Sequence, residues 1–316
     1  MTQLSEPDQH RSHHGFELNP ADEALLRGPV PARTLRWVEA SLGPSARVLD
    51  SEALAGGTSS AVHGLRVDTG ASHPLELVLR RFVRLDWLAE EPDTATREAE
   101  ALSLVADVDL PTPRLVAVDP DGSAAGEPSV LMSRLIGQVE WDPTSVEEFL
   151  RALAEPLPVI HAVRVAARVA LPDYRPYPLR IRRPPAWAAR ADVWERAFGV
   201  VDSAPPCEER LFVHRDYHPG NVLWEGGRVT GIVDWVNASI GSPWADVGHC
   251  RVNIASELGQ QAADRFLDLY RAVSGRSDDY HPYWDISAAI GGLDEDVDDE
   301  PSPADERFLA AAVARL

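Results

Sequence analysis

His214-Arg215-Asp216-Tyr217-His218-Pro219-Gly220-Asn221, with Ile232-Val233-Asp234-Trp235 placing an acid thirteen residues after Asn221, is the stretch that decides how this chain is read. It supplies a carboxylate, an amide oxygen and a second carboxylate, the set that phosphoryl transfer needs around a Mg²⁺–nucleotide. Asp216 can orient an attacking hydroxyl and accept its proton. Asn221 and Asp234 offer the hard oxygen ligands that Mg²⁺ prefers. The context tightens the pattern. Leu211-Phe212-Val213 reads as a short buried strand entering the loop. Val222-Leu223-Trp224 and Val229–Val233 read as two strands joined by Glu225-Gly226-Gly227-Arg228, whose glycine pair suits a tight hairpin.

This layout resembles the catalytic loop and metal-binding turn of the aminoglycoside phosphotransferase and choline kinase family, the small-molecule branch of the protein-kinase fold. Protein kinases keep the same spacing from Asp to Asn but follow it with Asp-Phe-Gly. Here His218-Pro219 sits inside the loop and Asp-Trp replaces Asp-Phe-Gly, both habits of the small-molecule branch. The resemblance spans roughly residues 35–290. It implies an α+β, two-lobed fold, with a small antiparallel β-sheet lobe carrying one helix and a larger, mainly helical lobe. The lobes are expected over residues 1–135 and 136–316, with 1–15 as a flexible tail containing His10, His13 and His14. It further implies ATP or GTP as phosphate donor, Mg²⁺, and a small hydroxylated acceptor: an aminoglycoside-type antibiotic, a macrolide or a metabolite. A nucleotide-binding pseudokinase is the non-enzymatic alternative. No Ala-Pro-Glu anchor follows the metal turn, which argues against a protein kinase.

Composition bounds these readings. The 316 residues can bury a sizeable core, and the formal net charge of −20 argues against a nucleic-acid partner. That charge suits a cationic acceptor, and equally a surface kept soluble. No run is long and apolar enough to span a membrane, and the polar N-terminal stretch is not read as a signal peptide. Cys207 and Cys250 define no disulfide framework, so a reduced cytoplasmic setting is expected, as monomer or homodimer. All 30 basic residues are arginine; the chain has no lysine.

The missing lysine sharpens the N-terminal half. Leu77-Val78-Leu79-Arg80 stands where kinases carry Val-Ala-x-Lys, so the phosphate cation must be arginine or absent. Residues 78 and 80 share a strand face, so Val78 can roof the adenine while Arg80 reaches phosphate; Arg81 points the other way. Glu98 shares its helix face with Leu102 and Val105 and needs a partner there, since burying a carboxylate alone is costly. Arg80 is that partner, while Glu100 should face solvent. Gly56-Gly57-Thr58-Ser59-Ser60 could drape over phosphates through backbone N–H groups and hydroxyls. It resembles the family's Gly-Gly-x-Ser-Asn loop but ends in Ser60. Met132-Ser133-Arg134-Leu135 resembles the hinge that meets the purine, with Met132, Ser133 and Leu135 lining it and Gly137 marking the crossover.

His214 and His218 read as braces of the loop. Asp246, in Gly241-Ser242-Pro243-Trp244-Ala245-Asp246, resembles the aspartate that accepts backbone hydrogen bonds from it. Trp187, Trp194, Tyr283, Trp284 and Asp285 could line an acceptor pocket, although most such aromatics belong to cores. His249 and Cys250 suggest neither a metal site nor a nucleophile. Helices are expected at Ala21–Arg27, Ala32–Leu42, Thr94–Ala106 with Asp93 or Thr94 as cap, Ser145–His161, Ser256–Ser274 and Pro303–Leu316. Strands are expected on either side of the Gly56–Ser60 turn within Leu54–His63, and at Leu75–Val83, Leu115–Val118 and Val130–Leu135. Pro172–Pro185 and the acidic Asp294–Glu300 read as loops.

Overall fold

The computed structural model describes residues 20–54, 59–166, 169, 171–206, 209–276, 280–291, 293 and 302–316. The tail histidines, Gly56, Gly57, Thr58, Cys207 and the acidic stretch 294–300 lie outside the described residues.

Helices α1 (Pro20–Arg27) and α2 (Ala32–Leu42) precede strands β1 (Arg47–Ala53), β2 (Ala61–Asp68) and β3 (Leu75–Arg81). Helices α3 (Leu85–Glu90) and α4 (Thr94–Val105) follow, then β4 (Leu115–Asp119) and β5 (Ser129–Ser133). The five strands form one antiparallel sheet in the order β1-β2-β3-β5-β4. Alternation along β3 sorts its two faces, as period-2 geometry requires. Leu77, Leu79 and the neighbouring Leu131 join Val38 of α2 in one core, while Val78 packs toward Leu102, Val130 and Met132 in another. Arg80 shares Val78's face and is thereby aimed toward α4.

Three expectations fail here. The strand before the Gly56–Ser60 turn ends at Ala53 rather than including Leu54. Neither proposed cap works through its side chain: Asp93 makes no capping hydrogen bond, and the Thr94 hydroxyl donates to the Glu91 carbonyl. Glu100 shares the outer face of α4 with exposed Thr96 and Ser103, yet it is half-buried rather than fully solvent-facing.

Beyond Gly137 come α5 (Val146–Ala154) and α6 (Pro156–His161), separated where Pro156 removes a backbone donor. Ser145 caps α5 by accepting from the Glu148 N–H. Helix α7 (Ala191–Val201) precedes β6 (Leu211–Val213) and the hairpin β7 (Val222–Glu225) with β8 (Arg228–Ile232). Gly226 and Gly227 both take positive φ, 58° and 75°, as a two-residue type I′ turn demands. Strand β9 (Ser239–Gly241) pairs with β6, and α8 (Trp244–Leu258), α9 (Gln260–Ser274), α10 (Tyr283–Ile290) and α11 (Pro303–Val313) complete the chain. The helix expected over Ser256–Ser274 is thus the end of α8 and all of α9, broken at Gly259 with φ 87°.

Candidate active site

The loop after β6 depends on a buried carboxylate. Arg215 takes a left-handed φ of 69°, a costly conformation for a residue with a Cβ. Asp246, fully buried at the start of α8, compensates for it. Its Oδ2 accepts the His214 N–H at 3.0 Å and its Oδ1 accepts the Arg215 N–H at 2.6 Å. His161 Nε2 lies 3.1 Å from the same Oδ2, and His161 Nδ1 lies 3.0 Å from the Tyr270 hydroxyl. The expected second-layer aspartate is therefore found where the loop needs acceptors.

His214 ties that loop to the Asp234 turn. Its Nε2 is 2.9 Å from the Val233 carbonyl, which can only accept, so Nε2 carries the proton. Nδ1 then accepts the Asp216 N–H at 3.3 Å, and the ring packs on Trp235 at 4.4 Å. His218 Nδ1 accepts the Gly220 N–H at 3.2 Å, and burial pushes its pKa down to about 4. Both histidines hydrogen-bond to backbone groups of the loop and the adjoining turn.

Asn221 donates through Nδ2 to the Asp216 carbonyl at 2.8 Å, which leaves its Oδ1 as a ligand oxygen. The Val233 N–H donates to the Asn221 carbonyl at 2.9 Å, joining the two metal-ligand segments. Asp234 sits at a left-handed φ of 67°. Arg80 Nη1 lies 2.6 Å from Asp234 Oδ1 and 3.2 Å from Glu98 Oε1. One arginine thus links the sheet, α4 and the Asp234 turn. Burial alone would lower the Arg80 pKa, but the carboxylates of Asp234 and Glu98 outweigh it and raise it. Glu98 is only 1 % exposed, and burial pushes its carboxyl up to about 7 despite Arg80. Arg80 Nε and Glu98 Oε2 are buried without a hydrogen-bond partner. A carboxylate and an amide oxygen beside a guanidinium with an unused donor fit a divalent cation carrying phosphate.

Asp216 projects from the same loop. His249 Nε2, from α8, is 3.0 Å from its Oδ1. Burial would raise the Asp216 carboxyl, but the hydrogen bond and the electrostatic interaction with His249 outweigh it and hold the carboxyl below the usual carboxylate range. The spacing around His249 suggests no further metal-type ligands, but the fold supplies them from the loop: Asp216, His218 and His249 bring one ligand-type atom each within 4.8 Å of one another. The signal was available in the sequence, since the residue one turn after Asp246 must face the loop that Asp246 anchors. Tyr177, from the Pro/Arg-rich loop, stands 6.2 Å from the His249 ring, with the Arg215 guanidinium stacked on it at 4.5 Å.

The acceptor-wall residues read from sequence are elsewhere. Trp194, Tyr283, Trp284 and Asp285 are buried in the helical core, where Asp285 pairs with buried Arg251 at 2.8 Å; Trp187 packs edge-on against Trp194. Around the hinge, Val78 and Met132 are cross-strand neighbours, and Leu135 packs near Gly231. The Ser133 N–H donates to the Arg114 carbonyl at 2.9 Å, and its hydroxyl oxygen accepts the Arg114 N–H at 2.8 Å. Ser59 and Ser60 directly precede β2, with Ser60 buried.

Comparison with known proteins gives a family and a fold. A family model described as the phosphotransferase enzyme family matches residues 50–283. Homoserine kinase from Methylobacillus glycogenes is 23% identical over 271 residues, 78% of each chain. Viomycin phosphotransferase from Streptomyces vinaceus is 28% identical over 235 residues, covering 66% of this chain and 78% of that one. Among solved structures, a thermostable mutant of aminoglycoside phosphotransferase APH(4)-Ia, in ternary complex with ADP and hygromycin B, superposes with a TM-score of 0.61 at 16% identity. It covers 90% of this chain and 99% of that chain.

Proposed function

The chain belongs to the phosphotransferase enzyme family, as a small-molecule kinase, and from that premise we propose that it moves the γ-phosphate of ATP to a hydroxyl of a small acceptor. The observation that carries the reading is the Glu98–Arg80–Asp234 chain of ion pairs beside the Asp216–Asn221 loop. A bound Mg²⁺ would neutralise phosphate charge, held by Asn221 and Asp234. Arg80 would hold the phosphates in place of lysine, steadied by Glu98. Its planar fork suits phosphate oxygens, though not with the compact charge of an ammonium. Asp216 would orient the acceptor hydroxyl and take its proton; positioning and charge matter most in this loose transfer. Val78 and Met132 would enclose the base, and the Gly56–Ser60 turn would cover the phosphates.

A cationic, aminoglycoside-type acceptor is supported by the net charge of −20 and by the hygromycin B complex of the structural relative. One observation favours a second acceptor class. Arg215 stacks on Tyr177 next to Asp216 and donates to the carbonyl of exposed Arg175 at 3.0 Å, which places positive charge at the cleft wall. That wall suits a metabolite bearing a carboxylate. ADP release measured across hygromycin B, viomycin and homoserine separates the two classes by which acceptor stimulates turnover.

A further inference from the structure

His249 has no place in the chemistry assigned so far, yet its imidazole makes the closest recorded side-chain contact to the proposed acceptor-orienting acid, 3.0 Å from Nε2 to Asp216 Oδ1. We propose that His249 is the positioning residue of the active site: its Nε2–H holds Asp216 Oδ1 in place, leaving Oδ2 for the acceptor's hydroxyl. This rests on the phosphotransferase reading of the same loop.

The arrangement supports a fixed donor. A carboxylate oxygen can only accept, so the nitrogen facing it carries the proton. His249 is held in place because Asp246, two residues after α8 begins at Trp244, docks onto the loop backbone, and His249 is the next residue on that helix face. Every element around the ring supplies a neighbour. His218 packs edge-on from the loop at 5.5 Å between ring centroids, and Tyr177 approaches at 6.2 Å with Arg215 stacked behind it. His218 is a poor substitute for this task, since burial holds it neutral and its Nδ1 is engaged by the Gly220 N–H. An aspartate with one oxygen fixed cannot rotate away from the acceptor, and orientation is worth rate in proportion to how well the near-attack geometry is kept.

The test compares His249→Gln, whose amide can still donate to Asp216, with His249→Leu, which fills the space without a donor. The readouts are Mg-ATP turnover, with water and with the acceptor that stimulates the native enzyme, nucleotide affinity by calorimetry, and melting temperature. His249→Leu should lose about 10–100-fold in kcat, the scale of one lost charge-assisted contact at a reacting group, while nucleotide Kd stays within about twofold. His249→Gln should recover most of kcat. In the native protein, ring ¹⁵N spectra should show His249 protonated at Nε2, and Asp216→Asn should perturb that signal. Equal kcat in the Leu and Gln variants, or parallel losses in kcat, nucleotide affinity and melting temperature, would overturn the proposal. Absence of Mg-ATP turnover in the native enzyme would instead count against the phosphotransferase reading, with the ¹⁵N result still deciding whether His249 holds Asp216.

Discussion

At the scale of single residues, the account places different duties on two neighbouring carboxylates. Asp216→Asn keeps the side chain's shape but cannot take a proton, so kcat should fall by about 10²–10⁴-fold with nucleotide affinity nearly unchanged. Asp234→Ala should instead abolish the Mg²⁺ dependence of ATP binding, which calorimetry with and without Mg²⁺ reads directly. It also strips Arg80 of its closer partner, 2.6 Å away. Arg80→Ala and Glu98→Gln should each weaken Mg-ATP use, and the double variant should be little worse than either, because coupled residues do not add. Additive losses would separate Glu98 from Arg80's task. His218 supplies a pH signature. Its folded pKa, pushed to about 4, lies below the unfolded value of 6.5, so the folded state gains stability from it above pH 6.5 and loses it as pH falls toward 4. Replacing it with Asn should flatten that part of the stability–pH curve by about 3 kcal/mol, measured by urea unfolding across pH.

At the scale of elements, much was legible where one local rule dominates. Alternation along Leu77-Val78-Leu79-Arg80 foretold both the strand and the face Arg80 takes, and two glycines foretold the turn between β7 and β8. Glu98 was found by its apolar stripe and need for a partner. The same rule put Glu100 on the outer face, where Thr96 and Ser103 are exposed, but a helical stripe does not tell how deeply a residue on that face is covered, and Glu100 is half-buried. Helix α7 and strand β9 were not legible: β9 has only three residues and exists by pairing with β6, a contact far apart in sequence. Of the aromatic residues proposed for the acceptor wall, Trp194 is in the core between α7, α10 and α11, with Trp187 packed against it, while Tyr283 and Trp284 are in the larger core, a distribution that composition alone cannot locate. Two elements should be sensitive to small changes. Asp246→Ala leaves two loop N–H groups and His161 without their acceptor and should destabilise by about 3–5 kcal/mol. Gly137 has φ 129°, and an added Cβ would come 2.3 Å from Thr230 Oγ1, so Gly137→Ala should lower the melting temperature by several degrees.

For the whole molecule, the antiparallel sheet and the helical part meet through Arg80, which carries an ion pair from β3 to both α4 and the Asp234 turn. Among the described residues no helix is long and apolar enough to cross a membrane. The absence of lysine makes this junction unusual for a phosphate site and also makes it testable: Arg80→Lys should keep substantial turnover if a single cation suffices, and lose it if the fork is needed. The acidic charge read from composition spoke for the molecule as a whole, whereas Arg215 and Arg175 set the charge beside Asp216, a distinction that only the folded chain reveals. The most direct test of the central claim is ADP release from Mg-ATP, measured for the native protein and Asp216→Asn side by side across hygromycin B, viomycin and homoserine. Mg²⁺-dependent, acceptor-stimulated release should appear in the native protein and fall by about 10²–10⁴-fold in the variant. Failure of the native protein to bind Mg-ATP, or turnover that Asp216→Asn leaves intact, would contradict it.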